Sequence, residues 1–191
     1  MIRIIAGIYK KRKLYSVPGK STRPTTNYNR EMIFSCYQDF SDKRVLDLFA
    51  GTGAFGLEAL SRGAAWVDFV EFANPAMGTI LNNIKLLGCE NQCHVYRKKV
   101  ASFLKLCKDK YDIIFLDPPY DKNLINPTIN SILTANLLNP EAVIIVEHSP
   151  RESLTKEHAK MVFKNKTGKT CSFSWLRANP DSSLYSNPAL Q

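Results

Sequence analysis

Four consecutive residues, Asp117-Pro118-Pro119-Tyr120, directly follow an apolar run over residues 111–116 and carry the groups best suited to chemistry. The Asp117 carboxylate and the Pro118 carbonyl can each accept one N–H, and the prolines remove backbone donors that would repel an amino group. Tyr120 offers a face on which a base can stack. These acceptors suit methyl transfer to an exocyclic amine, whose nitrogen becomes pyramidal as the new bond forms. The plainer interpretation is a strand that ends in a proline-rich turn.

A second candidate site follows the apolar segment 45–50, where Gly51, Thr52 and Gly53 lead into an apolar helix. Glycines allow backbone N–H groups to approach a ligand closely, and a helix N-terminus favours a negative group such as a carboxylate. The next apolar segment, 66–71, ends in Glu71, and a carboxylate at this place can accept both hydroxyls of a ribose. The pattern predicts a site for a nucleoside cofactor.

Residues 51–56 also match the glycine pattern of dinucleotide-binding enzymes, so NAD is the alternative cofactor. Asp47 lies four residues before Gly51, inside the predicted strand, where it could bind a cationic amino group but would serve no pyrophosphate. No later segment offers an acid–base pair for hydride transfer, whereas Asp117 suits an amine. The two motifs together favour S-adenosylmethionine over NAD.

The formal net charge of +9 is concentrated at one end of the chain. The first 30 residues contain no Asp or Glu, and their basic residues supply +8 of that charge: Arg3, Lys10, Lys11, Arg12, Lys13, Lys20, Arg23 and Arg30. Lys and Arg contacts to phosphates favour a nucleic-acid partner. Tyr9 and Tyr15 alternate with the basic residues as in a folded hairpin, although a solvated arm without a partner has the same composition.

Five cysteines, an odd number without paired spacing, are typical of free thiols in a reducing compartment. Cys89, Cys93 and His94 lack the usual C-x-x-C spacing and a fourth ligand, so we expect no metal. No apolar run has the length of a membrane span, and no basic cluster precedes one as in a secretory signal. We therefore expect a cytoplasmic protein with no membrane association.

Apolar segments of strand and helix length alternate through the middle of the chain. This alternation predicts an α/β fold in which helices cover both faces of a mostly parallel sheet. A helix over 30–40 should precede the sheet, and a hairpin formed by 160–166 and 170–176 should complete it. The alternating segments are 45–50, 54–62, 66–71, 75–87, 94–97, 99–107, 112–116, 125–137 and 142–147.

Ligands in open sheets of this type bind beyond the carboxyl ends of the strands. Asp47, Glu71 and Asp117 lie at or near such predicted ends, and Glu147 is a further candidate. This convergence predicts one shared site. We interpret Glu147 as a strand-end acid without a role in chemistry, and His148 as a surface histidine.

On these motifs the chain resembles the class I S-adenosylmethionine-dependent methyltransferases, and more narrowly the bacterial enzymes that methylate guanine N2 in 16S rRNA. The resemblance covers residue 1 to about 176, and the N-terminal segments are its specific part. The residues that carry it are 3–7, 11–14, 23–26, 30–31 with Phe34, 47–53, 56–64 and 117–120.

The resemblance implies a doubly wound, seven-stranded, Rossmann-like fold. It implies a basic RNA-binding extension (1–40) and a methyltransferase core (41–177), and the Asn-, Pro- and Ser-rich composition of residues 178–191 predicts a flexible tail. The resemblance also implies action on 16S rRNA or the assembling small subunit, with Asp117, Pro118, Pro119 and Tyr120 as the catalytic residues. We expect a monomer. The implied cofactor-binding residues are Asp47, Phe49, Ala50, Gly51, Thr52, Gly53, Phe55, Glu71, Phe72, Lys99 and Val100. The implied RNA-binding residues are Arg3, Lys10, Lys11, Arg12, Lys13, Arg23 and Arg30.

The chain departs from that family at two places. Lys99-Val100 stands where the family commonly has a short acidic or amide side chain that reads adenine, so we expect a backbone group there instead. Asn27-Tyr28-Asn29 replaces an Asp-Arg-Val segment. Three other functions use the same features: a DNA or RNA adenine-N6 methyltransferase, a protein-glutamine methyltransferase, which resembles this motif with Asn at position 117, and a noncatalytic RNA-binding protein on the same scaffold.

Overall fold

The structure is a computed structural model that describes residues 2–19, 27–168 and 171–178. The described strands are β1 (Arg44–Leu48), β2 (Trp66–Glu71), β3 (Cys93–Arg97), β4 (Tyr111–Leu116), β5 (Leu138–His148), β6 (Val162–Thr167) and β7 (Ser172–Arg177). The described α-helices are α1 (Asn27–Cys36), α2 (Ala54–Ser61), α3 (Asn74–Leu87), α4 (Val100–Leu106), α5 (Ile125–Thr134) and α6 (Lys156–Lys160).

The seven described strands form one sheet in the order β3-β2-β1-β4-β5-β7-β6. The first five of these neighbours pair in parallel, and β7 runs antiparallel to both β5 and β6. Strand order reverses between β1 and β4, which is where ligands bind in sheets of this kind. The predicted doubly wound, mostly parallel sheet is confirmed, including the hairpin that completes it.

Helices cover both faces of the sheet because the central strands are apolar on both sides. Val45 and Ile113 pack in one buried cluster with α1, α2 and α3, whereas Leu46 and Ile114 pack in another with α4 and α5. Strands buried on both faces read as continuous apolar runs, as these do in the sequence.

The basic N-terminal segment folds as a small antiparallel hairpin. Arg3 and Lys13 form a β-bridge, and Ile4 N–H donates to the Arg12 carbonyl at 2.9 Å. Ile4 and Leu14 are buried against the core, while the basic side chains of the hairpin are exposed. The predicted hairpin therefore joins the core through its apolar residues and presents its charges to solvent.

Some predicted boundaries differ from the structure. Helix α1 ends at Cys36 instead of residue 40, and Phe40 enters the core beyond the helix, where it packs on Phe34 with ring centroids 4.9 Å apart. Helix α6 was not predicted; Thr155 caps it by accepting the His158 N–H at 3.2 Å. Nowhere in the described ranges is there a helix both long and apolar enough to cross a bilayer.

Candidate active site

The strand ends that carry the predicted site residues lie at the same level of the sheet. Leu48 of β1 is in register with Val70 of β2 and Leu116 of β4, and Leu116 is in register with Val146 of β5. The residues that follow these positions are Phe49, Glu71, Asp117 and Glu147. Since neighbouring strands lie about 5 Å apart, the register brings the two predicted motifs to one edge.

The glycine turn after β1 has a backbone that few side chains tolerate. Phe49, Gly51 and Gly53 adopt φ of 60°, 58° and 74°, in the left-handed region. A Cβ on Gly53 would approach the Phe69 ring to 3.3 Å, so the turn lies directly on the core. Residues 50–52 remain half-buried, so backbone groups of the turn can reach a ligand.

Asp47 lies beneath the glycine turn and not in the open cavity. Its side chain is 1% exposed, and its carboxylate accepts the Gly56 N–H at 3.0 Å. Burial raises the pKa of this carboxyl well above its usual range, against the lowering effect of the Gly56 bond, and Glu71 raises it further. The expectation of direct contact between Asp47 and a ligand's amino group is corrected, because the carboxylate faces the start of α2.

Phe55 also differs from expectation. It was expected at the cofactor, but its ring is buried and stacks on Phe115 with centroids 3.9 Å apart. It also packs on Phe34, with ring centroids 5.1 Å apart. Phe55 therefore supports the turn from within the core and presents almost no surface to a ligand.

Glu71 is held by backbone groups around it. Its Oε2 accepts the Gly51 N–H at 3.0 Å, and its Oε1 accepts the N–H groups of Phe72 and Ala73, each at 2.7 Å. These bonds tie the end of β2 to the glycine turn. A carboxylate fixed in this way is oriented before any ligand arrives.

A cavity of about 340 Å³ opens beside Glu71. Its walls are mainly apolar, and Lys99 Nζ lies 5.3 Å from the centroid of the exposed Phe72 ring. Of the predicted cofactor residues, the cavity gathers Phe49, Glu71, Phe72, Lys99 and Val100. Sequence reasoning missed the other residues that line the cavity, which are Val70, Lys98, Ala101, Leu104, Leu124, Pro127, Thr128 and Ser131.

The Asp117-Pro118-Pro119-Tyr120 segment begins where β4 ends. Asp117 is half-buried, Pro118 is buried and Pro119 is exposed. The Tyr120 hydroxyl donates to Glu147 Oε1 at 2.8 Å, and burial together with this carboxylate raises the pKa of Tyr120. The segment is thus anchored through its last side chain to the neighbouring strand.

The two residues at the end of β5 are buried, in contrast to the expected surface position of His148. The His148 Nε2 lies 3.0 Å from Ser174 Oγ on β7. Glu147 is 3% exposed, and burial raises the pKa of its carboxyl. Both side chains are enclosed because β7 pairs antiparallel with β5 at this level, a pairing that cannot be read from the local sequence.

The basic hairpin is docked on α2 through Glu58, a residue that sequence reasoning missed. Its buried carboxylate accepts the N–H groups of Ile5 at 2.7 Å and Ala6 at 3.0 Å and pairs with Arg62 at 2.8 Å. At Gly7 the approach is so close that a Cβ would lie 1.6 Å from the Ser61 carbonyl oxygen. The hairpin and the helix that follows the glycine turn form one unit.

Asn83 of α3 adds a second link and was also missed. Its Oδ1 accepts the Tyr15 N–H at 2.7 Å, and its Nδ2 donates to the carbonyls of Tyr15 at 3.2 Å and Thr52 at 3.0 Å. A buried Asn inside an amphipathic helix is the signal that could have indicated this role, since buried amides are hydrogen-bonded.

The predicted RNA-binding residues fall into three groups. Arg3, Lys10, Lys11, Arg12 and Lys13 are exposed on the hairpin, where Arg12 also donates to the Leu86 carbonyl at 2.9 Å. Arg23 lies outside the described residues. The expectation that Arg30 contacts RNA is corrected, because its side chain is only 2% exposed. It donates to the Arg3 carbonyl at 2.8 Å and lies 3.8 Å from Glu58.

The cysteines of the chain are free thiols. The Cys93 thiol donates to the Cys89 carbonyl at 3.3 Å, and both side chains are buried. Within residues 2–19, 27–168 and 171–178, no cluster of His, Cys, Asp and Glu could hold a metal ion.

Comparisons with known proteins identify relatives across nearly the whole chain. A family model described as conserved hypothetical protein 95 matches residues 2–175. Ribosomal RNA small subunit methyltransferase D of Buchnera aphidicola (subsp. Acyrthosiphon pisum) is 35% identical over 86% of this chain and 87% of its own length. The protein of that name from Escherichia coli K12 is 36% identical over 80% of this chain and 77% of its own length. The solved structure of yhhF from Escherichia coli, assigned as a methyltransferase, has a TM-score of 0.80 at 34% identity and covers 92% of this chain and 97% of its own.

Proposed function

We propose that this chain, which belongs to the conserved hypothetical protein 95 family, methylates the N2 amino group of a guanine in 16S rRNA. The proposed methyl donor is S-adenosylmethionine. The chain shares the family with proteins named ribosomal RNA small subunit methyltransferase D. The observation that carries the proposal is the register that puts Glu71, beside a cavity, and Asp117, beside a proline turn, at one edge of the sheet. All of these groups belong to a single chain, so we propose a monomer.

The cavity beside Glu71 fits the nucleoside part of the donor. The Glu71 carboxylate is fixed at the mouth for the ribose hydroxyls, and Phe72 and the apolar wall suit a flat base. In the half-buried turn over 50–52, the Ala50 and Gly51 N–H groups already donate to the Val70 carbonyl and to Glu71, so we assign the Thr52 N–H to the methionine carboxylate. When ionised, the Asp47 carboxylate beneath the turn favours the donor's ammonium group without direct contact.

When bound, S-adenosylmethionine supplies an electrophilic methyl group on a sulfonium and departs as neutral S-adenosylhomocysteine. Asp117 and the Pro118 carbonyl each accept one N–H of the guanine amino group and direct the nitrogen lone pair toward the methyl carbon. The nitrogen gains the methyl group and a positive charge, and Asp117 is placed to accept the proton that it then releases. Tyr120 stacks against the base, and fixing the two reactants in line supplies much of the acceleration.

The hairpin provides the surface for the RNA. Its exposed cations lie on an element that Glu58 and Asn83 fasten to α2 and to the glycine turn. Phosphates bound there would be held at a fixed position relative to the reacting groups. The target guanine must lie in an exposed loop or be flipped outward to reach Asp117.

The test is incubation of the protein and methyl-labelled donor with small-subunit particles that lack the modification, followed by nucleoside analysis. We expect labelled N2-methylguanosine with wild-type protein and none with Asp117→Ala. Labelled N6-methyladenosine would replace the proposal with an adenine methyltransferase. Absence of donor binding at micromolar concentration would indicate a noncatalytic RNA-binding protein.

A further inference from the structure

A buried acid that the reaction does not consume lies beside the proposed acceptor site. Val146 of β5 is in register with Leu116 of β4, so Glu147 and Asp117 follow paired positions of adjacent strands. Glu147 is 3% exposed, although acids are almost never fully buried unless they have partners. Its partner at 2.8 Å is the hydroxyl of Tyr120.

We propose that Glu147 is a positioning residue, whose buried carboxylate holds the Tyr120 ring as the wall of the acceptor site by accepting the hydrogen bond of the phenol. The proposal rests on the proposed function for the identity of the base that this wall receives. The hydrogen bond itself belongs to the protein alone, so its role in fixing the ring can be tested separately.

Two observations indicate that the Glu147–Tyr120 hydrogen bond positions the tyrosine ring and does not serve core packing alone. The bond joins a loop residue to the end of a neighbouring strand, and the loop continues through Asp121 and Asn123, both of which have positive φ, at 59° and 52°. Such a loop has little regular structure of its own to fix a side chain. The ring also packs against the buried core cluster, and the bond from its hydroxyl to Glu147 Oε1 fixes the direction in which the ring points.

Cys171 is a further neighbour of Glu147. It is close enough to Glu147 for its thiol to favour the ionised carboxylate. Among the described residues, the buried Oε2 atom of Glu147 has no hydrogen-bond partner. The Cys171 sulfur in turn accepts from Asn29 Nδ2 at 3.1 Å, which connects this group to α1. The Tyr120 hydroxyl is therefore the partner that fixes Glu147 Oε1, and the two side chains orient each other.

The chain offers a matched control at the opposite end of the same strand. The Tyr111 hydroxyl donates to Asp68 Oδ2 at 2.9 Å, both residues are buried, and Tyr111 begins β4 while Tyr120 follows its end. Tyr111→Phe and Tyr120→Phe therefore each remove one tyrosine–carboxylate bond. Only Tyr120→Phe removes such a bond beside Asp117.

The experiment compares Glu147→Leu, Glu147→Gln, Tyr120→Phe, Tyr111→Phe and the double variant Glu147→Leu/Tyr120→Phe. In protein labelled with ¹³C at the tyrosine ring ε carbons, Tyr120→Phe identifies the signal of Tyr120 among the eight tyrosines. We expect Glu147→Leu to shift or broaden that signal and Glu147→Gln, whose amide oxygen still accepts the bond, to preserve it. A Tyr120 signal unaffected by Glu147→Leu would overturn the proposal, whatever the substrate proves to be.

Methyl transfer by the same variants supplies the second readout. We expect kcat to fall about tenfold in Glu147→Leu and in Tyr120→Phe, with no further loss in the double variant, because residues that act through one bond are not additive. Donor affinity should stay within about twofold, and Tyr111→Phe should retain wild-type kcat even if it melts earlier. If the losses of kcat add in the double variant, or if Tyr111→Phe loses as much kcat as Tyr120→Phe, Glu147 has a merely structural role and the proposal is overturned. If wild-type protein methylates no guanine, the proposed function fails while the ring signal still tests the positioning.

Discussion

The Asp47 carboxylate accepts the Gly56 N–H at 3.0 Å in a site that is almost closed to solvent. A buried carboxylate with one backbone partner destabilises the cofactor-free protein, because the bond does not compensate fully for lost hydration. The same charge lies beneath the proposed ammonium position of the donor. Stability and donor affinity should therefore respond to this residue in opposite directions.

Asp47→Asn keeps an oxygen that can accept from Gly56 but removes the buried charge. We expect the melting temperature without donor to rise by roughly 2–4 °C, as about 1 kcal/mol does in a chain of this size. Donor affinity should fall about tenfold, a loss of about 1.4 kcal/mol. Calorimetric unfolding and titration with S-adenosylmethionine check the two effects. Unchanged affinity would show that the charge does not act on the donor.

The stability difference should also depend on pH. The pKa of Asp47 is raised in the folded state above its ordinary value of 3.8. The folded protein therefore holds this proton more tightly than the unfolded chain, and the wild type loses stability as pH rises from about 4 through the raised pKa. Asp47→Asn should not show this loss, so its advantage should increase with pH. Denaturant unfolding of both proteins between pH 4 and 8 measures the trend, and a constant difference would contradict it.

Removal of the Glu58 carboxylate should release the basic hairpin. Glu58→Ala leaves the half-buried N–H groups of Ile5 and Ala6 without this acceptor and should cost about 3–5 kcal/mol, because Arg30 and Arg62 also lose the buried carboxylate. Trypsin should then cleave first within 10–13. Trypsin should cut Glu58→Gln, which keeps an oxygen acceptor, more slowly than Glu58→Ala. Cleavage at equal rates in all three proteins would contradict docking through this residue.

The exposed lysines of the hairpin should determine how RNA affinity depends on salt. We expect Lys10→Ala/Lys11→Ala/Lys13→Ala to weaken RNA binding and to reduce the slope of log affinity against log salt by about 2–3. The charge-matched control replaces Lys105, Lys108 and Lys110, which are exposed near the opposite edge of the sheet where β4 begins. An equal loss of slope in both triple variants would indicate general attraction without a defined RNA surface.

Local sequence was sufficient to locate the glycine turn, Glu71 and Asp117, because each follows a continuous apolar strand and strand ends meet at one edge. The roles of Glu147 and Arg30 depend on partners 27 and 28 residues away, respectively, and on burial by other elements. The resemblance implies a cofactor contact for Phe55, but the direction of the first turn of α2 points its ring at Phe115. Sequence spacing alone does not fix that direction.

Single-turnover methyl transfer to unmodified small-subunit particles by wild-type protein and Asp117→Ala is the most direct measurement, with donor and RNA affinities determined on the same samples. If Asp117 holds the attacking amine, the variant should transfer methyl groups at least about a thousandfold more slowly, while both affinities stay within about threefold of wild type. A variant that still forms N2-methylguanosine at close to the wild-type rate would show that Asp117 is not the acceptor of the amine.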